Sequence, residues 1–358
     1  MPALFRPGPL TRAIEALVAA GGSEAREARL VAENLVTANL LGHDSHGIGM
    51  MPRYVDALLE GGLVVNQHPR VMVDSGALLA LDGCQGYGQV IGAEATAMAI
   101  ERARSHGACI LALARAHHLG RIGQWGEQAA SQGLISISFV NVVARALVAP
   151  FGGADARFGT NPVCVAIPLP GAPPFLLDMA TSAVAQGKVR VAYNRGEKVS
   201  PEWLLDDAGN PTSDPRYGVV EPWGALRAFG LHKGYGLALA CELLGGALTG
   251  GGTVHGRDRS GRSVWNGMLS ILIDPARLDA NGLFGAEAAE FLRWVRASPL
   301  APGFDKVRIA GDPERECRMR REQEGIAVDA ATWDEIRSAA GKLGIAPDAL
   351  QRLAEATA

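Results

Sequence analysis

The stretch LLALDGCQGYGQVIGAEATAMAIERA, residues 78–103, decides the fold, because it is where a doubly wound dinucleotide domain would begin. A strand-like apolar run leads into Gly86, Gly88 and Gly92, and a helical segment follows. In a Rossmann unit such glycines let the backbone approach a pyrophosphate at the helix N-terminus. Here the order is G-x-G-x-x-x-G, one residue longer than the G-x-G-x-x-G fingerprint, and no acidic ribose reader stands at the required distance. The stretch reads as a glycine-rich turn between a strand and a helix.

Working outward, VMVDSGALLALDG predicts two strands around a Ser-Gly turn, and ACILALARA predicts another strand after the helix. Upstream, Ala28, Val31, Leu35 and Ala38 recur at spacings of three and four, which predicts a helix begun at Ser23 and Glu24 and ended near Gly42. His43–Gly47 is then a turn, and MPRYVDALLEGG is a short helix started by Pro52. Downstream, IGQWGEQAASQG, HKGYGLALACELLGGALTG and AEAAEFLRWVRAS read as helices. LISISFVN, VCVAIPL, FLLDMAT and MLSILIDP read as strands. The alternation makes the chain α/β, with extended loops over 193–230.

The composition is that of a globular protein, and a formal net charge of −3 gives no general attraction to nucleic acid or to an anionic membrane. The segment MPALFRPGPLTR has no apolar core followed by a small-residue cleavage site, and no apolar span reaches membrane length. Cys84, Cys109, Cys164, Cys241 and Cys317 lack CxxC spacing, so reduced thiols in a cytoplasmic protein are expected. H-E-x-x-H and G-x-S-x-G are both absent, and no metal is expected.

Several polar clusters interrupt the apolar pattern. GHDSHGIGMMPRY, residues 42–54, crowds two histidines and an aspartate beside a Met pair. AHHLGRIG carries His117 and His118 among glycines. An imidazole titrates near neutrality and suits proton transfer, although each could equally be a satisfied polar residue in a turn. FGGADARFGTNP offers a flexible cradle or a plain hairpin. LDMATSAVAQGK places Asp178, Thr181, Ser182 and Lys188 at a strand–helix junction, and His232 and Lys233 open a helix.

Together and in this order, these blocks, with WNGMLSILIDP, resemble the malate/L-lactate dehydrogenase-like family, which is distinct from the Rossmann malate and lactate dehydrogenases. The likeness covers nearly the whole chain, and its first block is closest to the 2-hydroxycarboxylate dehydrogenase branch. Other members of that family act on ureidoglycolate, sulfolactate or cyclic imino acids. The resemblance implies a non-Rossmann nicotinamide domain with a largely antiparallel sheet, joined to a second helical and mixed domain. The expected division is residues 1–120, 121–310 and 311–358, the last returning to the first domain. It also implies a homodimer, NAD as cofactor with NADP open, and a small 2-hydroxy or 2-oxo acid as substrate.

Carried onto this chain, the resemblance implies His46 and His118 as catalytic candidates, with Ser45 supporting His46. The implied cofactor surface comprises His46, Gly120, Arg121, Ile122, Leu177, Asp178, Met179, Ala180, Thr181, His232, Lys233, Asn266, Gly311, Asp312, Pro313 and Glu314. One position departs from the family pattern. Many relatives place Arg four residues after the His of SHG, where this chain has Met50. A thioether cannot replace a guanidinium that clamps a carboxylate. Arg53 or Arg121 could supply that charge. Met50 would then line a more apolar substrate pocket, or pack against the following helix. The mechanism implied is proton loss from the substrate alcohol to a histidine, coupled to hydride transfer to nicotinamide. Imino-acid reduction and a nonenzymatic dinucleotide-binding regulator are the alternatives.

Overall fold

In the computed structural model, which describes residues 3–255 and 261–356, the strands are β1 (Ala3–Phe5), β2 (Arg70–Ser75), β3 (Leu78–Asp82), β4 (Ala108–His117), β5 (Ile135–Val143), β6 (Val163–Leu169), β7 (Ala172–Met179), β8 (Leu204–Leu205), β9 (Ala225–Leu226), β10 (Trp265–Ile273) and β11 (Ile326–Val328). The helices are α1 (Pro7–Ala20), α2 (Ala25–Leu40), α3 (Met51–Leu59), α4 (Gly88–His106), α5 (Gly123–Ala130), α6 (Gln186–Arg195), α7 (His232–Ala240), α8 (Phe284–Arg296), α9 (Asp312–Glu324), α10 (Ala330–Lys342) and α11 (Pro347–Glu355). A π-helical stretch, Cys241–Leu248, continues α7. Ser23 is not the cap of α2: Glu24 occupies that position, and the Ser23 hydroxyl donates to Glu27 Oε1 at 2.7 Å.

The apolar stripes of the terminal helices bury one another. Leu10, Ile14 and Leu17 of α1, Val31 and Leu35 of α2, and Met51 and Tyr54 of α3 share a core with Trp333 and Ile336 of α10 and Leu350 of α11. β1 pairs antiparallel with β11, Phe5 opposite Ile326, so the end of the chain returns to its beginning. α3 starts with Pro52 in its first turn and turns Met51, Tyr54 and Val55 inward.

The second core is built on a seven-stranded sheet in the order β2-β3-β4-β10-β5-β6-β7. Only β3 and β4, joined by α4, run parallel; every other neighbouring pair is antiparallel. The chain is therefore α/β with a largely antiparallel sheet, as expected. α4 and α5 cover this sheet through Ile91, Ala95, Ala99, Trp125 and Ala129. The division expected at 120/121 runs through this single sheet, because β2, β3 and β4 lie before it; the sheet begins at Arg70. A small third cluster gathers Val148, Phe158, Val189, Leu204 and Leu226. Within 193–230, mostly loop as expected, the end of α6 and the short pair β8–β9 add regular structure.

The glycines of 83–92 follow from this packing. A Cβ on Gly83 would lie 2.8 Å from Ala116 Cα, and one on Gly92 would lie 2.6 Å from the Trp125 ring. The His117 amide donates to Gly86 O at 2.9 Å. A Cβ on Gly88 would lie only 2.2 Å from His118 O. Gly83, Gly88 and Gly92 are small because the chain at 116–125 presses against them. We expect Gly88→Ala to push His118 out of place, costing roughly 1–3 kcal/mol of stability and a larger share of activity. Denaturant midpoints beside turnover check this; wild-type values for both would contradict it.

Candidate active site

Two histidines meet where the helical unit faces the sheet. His46 stands on a 3₁₀ turn, Asp44–His46, just beyond α2. Asn39 shapes that turn: its amide nitrogen donates to Asp44 Oδ1 at 2.6 Å, and its Oδ1 accepts from the Ile48 amide at 2.8 Å. Arg321 of α9 also binds Asp44 and Asn39 O. His118 follows the end of β4. The loop after it is fastened by Asn266 of β10, whose Oδ1 accepts from the Leu119 amide at 2.8 Å while its Nδ2 donates to Asn141 O at 2.8 Å.

His46 Nδ1 lies 3.2 Å from His118 Nε2, and the two rings stack at 13°. The other nitrogen of His118, Nδ1, lies 2.7 Å from the Tyr54 hydroxyl, which also accepts from Gln89 Nε2 at 2.9 Å. His118, Tyr54 and Gln89 are buried, whereas His46 is partly exposed and its Nε2 has no partner among the described residues. His117 is fully buried edge-on to Tyr54, with neither ring nitrogen bonded.

Burial keeps these rings neutral. It lowers the His46 imidazole to about 4; the Asp178 carboxylate opposes the shift, and His43 and Arg121 add to it. Burial also carries His118 well below the usual imidazole range, helped by His46, His117 and Arg53. His117 falls to about 3 through burial and the Arg53 charge.

The Arg121 side chain is only 2% exposed; it pairs with Glu127 through Nη2, and its Nη1 has no partner among the described residues. Glu314 Oε1 sits 3.3 Å from His43 Nε2, and Glu314 Oε2 is buried without a partner. The His43 bond is the main cause of the lowered Glu314 carboxyl, and Arg121 adds to it. Asp178 Oδ2 accepts from the Gly123 amide at 2.6 Å. Arg53 donates from Nε to Arg262 O at 2.7 Å, and no carboxylate among the described residues lies within ion-pair distance of it.

Met50, in the turn just before α3, is partly buried and packs against the helical core. The Ser45 hydroxyl makes no hydrogen bond to His46; the His118 ring contacts His46 instead. Thr181 Oγ1 donates to Thr160 O and Asn161 O. Asp312 is held by Arg296, Arg315 and the Ile309 amide. Gly120 and Gly311 adopt positive φ, and Pro313 starts α9. Ile122 lies in the sheet core, and Leu177 and Met179 pair across β7 with Val165 and Val163. Ala180 follows β7. His232 and Lys233 are exposed at the start of α7, which the Phe229 amide ties to Thr181 O at 3.0 Å. The candidate list from sequence omits Tyr54, Gln89, His43 and Glu127. Tyr54 has the apolar helix spacing of a core residue, and that spacing hides its polar end.

Comparison with known proteins agrees with this arrangement. Residues 6–337 match the family model described as malate/L-lactate dehydrogenase. Hydroxycarboxylate dehydrogenase B of Escherichia coli K12 is 46% identical over 341 residues, 94% of each chain. The L-lactate dehydrogenase of Cupriavidus necator is 41% identical, over 88% of this chain and 91% of its own. A solved Escherichia coli structure, assigned to malate/lactate dehydrogenases, superposes with a TM-score of 0.94 at 44% identity, covering 98% of both chains. The chain belongs to the malate/L-lactate dehydrogenase family. It is accordingly an oxidoreductase.

The buried imidazoles carry a consequence for stability. Their folded-state pKa values lie below the unfolded value near 6.5. As pH falls below that value, the unfolded chain takes up protons that the folded chain refuses, so stability is lost on acidification. For His117 the window runs from about 6.5 down to about 3. We expect each fully buried ring to contribute up to about 1.4 kcal/mol per pH unit there. His117→Leu should flatten the slope of unfolding free energy against pH between 6 and 4 by close to one proton. An unchanged slope in urea titrations would contradict the assignment.

Proposed function

We propose that this chain interconverts a small 2-hydroxy carboxylate and its 2-oxo acid with NAD, as a homodimer in the cytoplasm. The observation that carries this reading is the neutral, stacked His46–His118 pair, whose one free nitrogen is His46 Nε2. NAD is favoured by the resemblance to the hydroxycarboxylate branch. The homodimer is supported by exposed Leu239, Leu243 and Leu248 along α7 and its continuation, and the compartment by five unpaired cysteines.

The residues fit a nicotinamide group. Arg121 Nη1 and Glu314 Oε2 are a buried donor and a buried acceptor without partners, and the Arg121 charge acts on both His46 and Glu314. A carboxamide presents one acceptor and one donor, so these two side chains would hold it, beside the Asp178–Thr181 segment and His232–Lys233. When bound, the nicotinamide supplies the hydride acceptor for oxidation and the hydride donor for reduction.

The chain's own residues manage the proton and the substrate charge. His46 Nε2 accepts the alcohol proton in oxidation and returns it to the oxygen in reduction. His118 Nε2 lies close enough to His46 Nδ1 to share the resulting charge. Arg53 serves as the carboxylate clamp: its charge acts on His118 and, unlike Arg121, it has no carboxylate partner among the described residues.

A substrate-by-cofactor matrix tests the reading by following reduced-nicotinamide absorbance in both directions. It should include malate, lactate, larger 2-hydroxy acids, sulfolactate, ureidoglycolate and cyclic imines, each with NAD and NADP. Turnover of a 2-hydroxy acid with NAD is the expected result; turnover of imines alone, or with NADP alone, would overturn it. Arg53→Ala should lower kcat/KM by roughly 30- to 100-fold, about 2–3 kcal/mol of charge-assisted hydrogen bonding. His46→Asn should lower kcat itself by at least about 100-fold while leaving the unfolding transition in place. Because the free imidazole is held near 4, kcat/KM for oxidation should stay level from pH 8 to below 6. A limb at the ordinary imidazole value would contradict a neutral, buried pair.

A further inference from the structure

The function above leaves two buried side chains unused: Tyr54, which directs its hydroxyl at His118 from the helical core, and Gln89, whose Oε1 is buried without a partner. We propose that Gln89 and Tyr54 are positioning residues that choose, through His118, whether His46 Nε2 presents a proton or a lone pair to the substrate. This rests on the reading of His46 as the acid/base group.

The hydrogen-bond inventory gives two complete arrangements. In the observed one, Gln89 Nε2 donates to the Tyr54 oxygen, so the phenol's single proton points to His118 Nδ1. A neutral His118 then carries its proton on Nε2 and donates it to His46 Nδ1. A neutral His46 is left with its proton on Nε2, a donor facing a carbonyl oxygen. In the second arrangement the Gln89 amide turns over and Oε1 accepts the phenol proton. Tyr54 now accepts from His118 Nδ1–H, His118 Nε2 accepts from His46 Nδ1–H, and His46 Nε2 carries a lone pair facing an alcohol.

Both arrangements hold the same protons, one on Tyr54 and one on each ring, so the switch moves no net charge into the buried site. In oxidation the alcohol O–H bond breaks and an Nε2–H bond forms on His46. The charge is then shared with His118 as the Nδ1 proton shifts toward His118 Nε2. The charged and titratable groups that bear on the pair are Asp178, His43 and Arg121 on the His46 side and His117 and Arg53 on the His118 side. None of them bonds to Tyr54 or Gln89, so the tautomer choice falls to those two residues.

Nitrogen-15 spectra of histidine-labelled protein, free of substrate and cofactor, report the tautomer of each ring directly. Wild-type protein should show His46 and His118 both in the Nε2–H form, or both exchanging with the Nδ1–H form. Gln89→Glu keeps the size but offers only acceptors to the phenol. It should drive both rings to Nδ1–H and reduce kcat for 2-oxo acid reduction about tenfold more than kcat for oxidation, with KM little changed. Tyr54→Phe should break the coupling, so that the His46 shifts change although residue 54 does not touch that ring. If Tyr54→Phe does not fold, Gln89→Glu decides alone. Unchanged His46 and His118 tautomers in every folded variant would overturn the proposal even if the enzyme oxidises hydroxy acids. Shifted tautomers in a protein inactive on hydroxy acids would uphold the relay and reject the substrate reading.

Discussion

The 3.2 Å contact between His46 Nδ1 and His118 Nε2 joins two parts of the molecule that are built on separate cores. His46 belongs to a turn held by α2 and α9, and His118 to the loop leaving the central sheet. Neither core needs the contact for its own packing. Yet Gly83 and Gly88 let the chain through Ala116, His117 and His118 approach this closely. The tolerance is small, because a single methyl group at Gly88 would occupy the position of the His118 carbonyl.

That constraint also accounts for the electrostatics. Two imidazoles in hydrogen-bond contact, one of them buried against Tyr54, disfavour each other's charge, and removal from water holds both neutral. The Arg53 charge acts on His118, and the Asp178 and Arg121 charges act on His46. Neutral imidazole can take a proton from an alcohol, and a second ring in contact with it can share the charge that results.

Much of this was legible in the sequence for physical reasons. Alternating and helix-period apolar residues located most of the sheet and its covering helices, and the irregular glycine spacing at 86–92 argued against a pyrophosphate loop. The structure shows what those glycines do instead. His46 and His118 stood out as polar groups in glycine-rich turns. Tyr54 and Gln89 did not, because each sits at an interior helical position where spacing signals core, and their polar atoms matter only through contacts made across the fold. Met50 offered either a substrate wall or packing against the following helix, and it lies partly buried against the helical core just before α3. Arg53, on α3, acts on both His117 and His118.

The central claim is that a neutral histidine pair takes up the proton exchanged with a 2-hydroxy acid. Proton uptake on binding tests it most directly. Oxamate, an unreactive 2-oxo acid mimic, is titrated into the protein saturated with NADH at pH 6.5, in buffers of different ionisation enthalpy. Uptake approaching one proton per site, abolished in His46→Asn, is the result this account predicts. Saturable binding without proton uptake in the wild-type protein would contradict it.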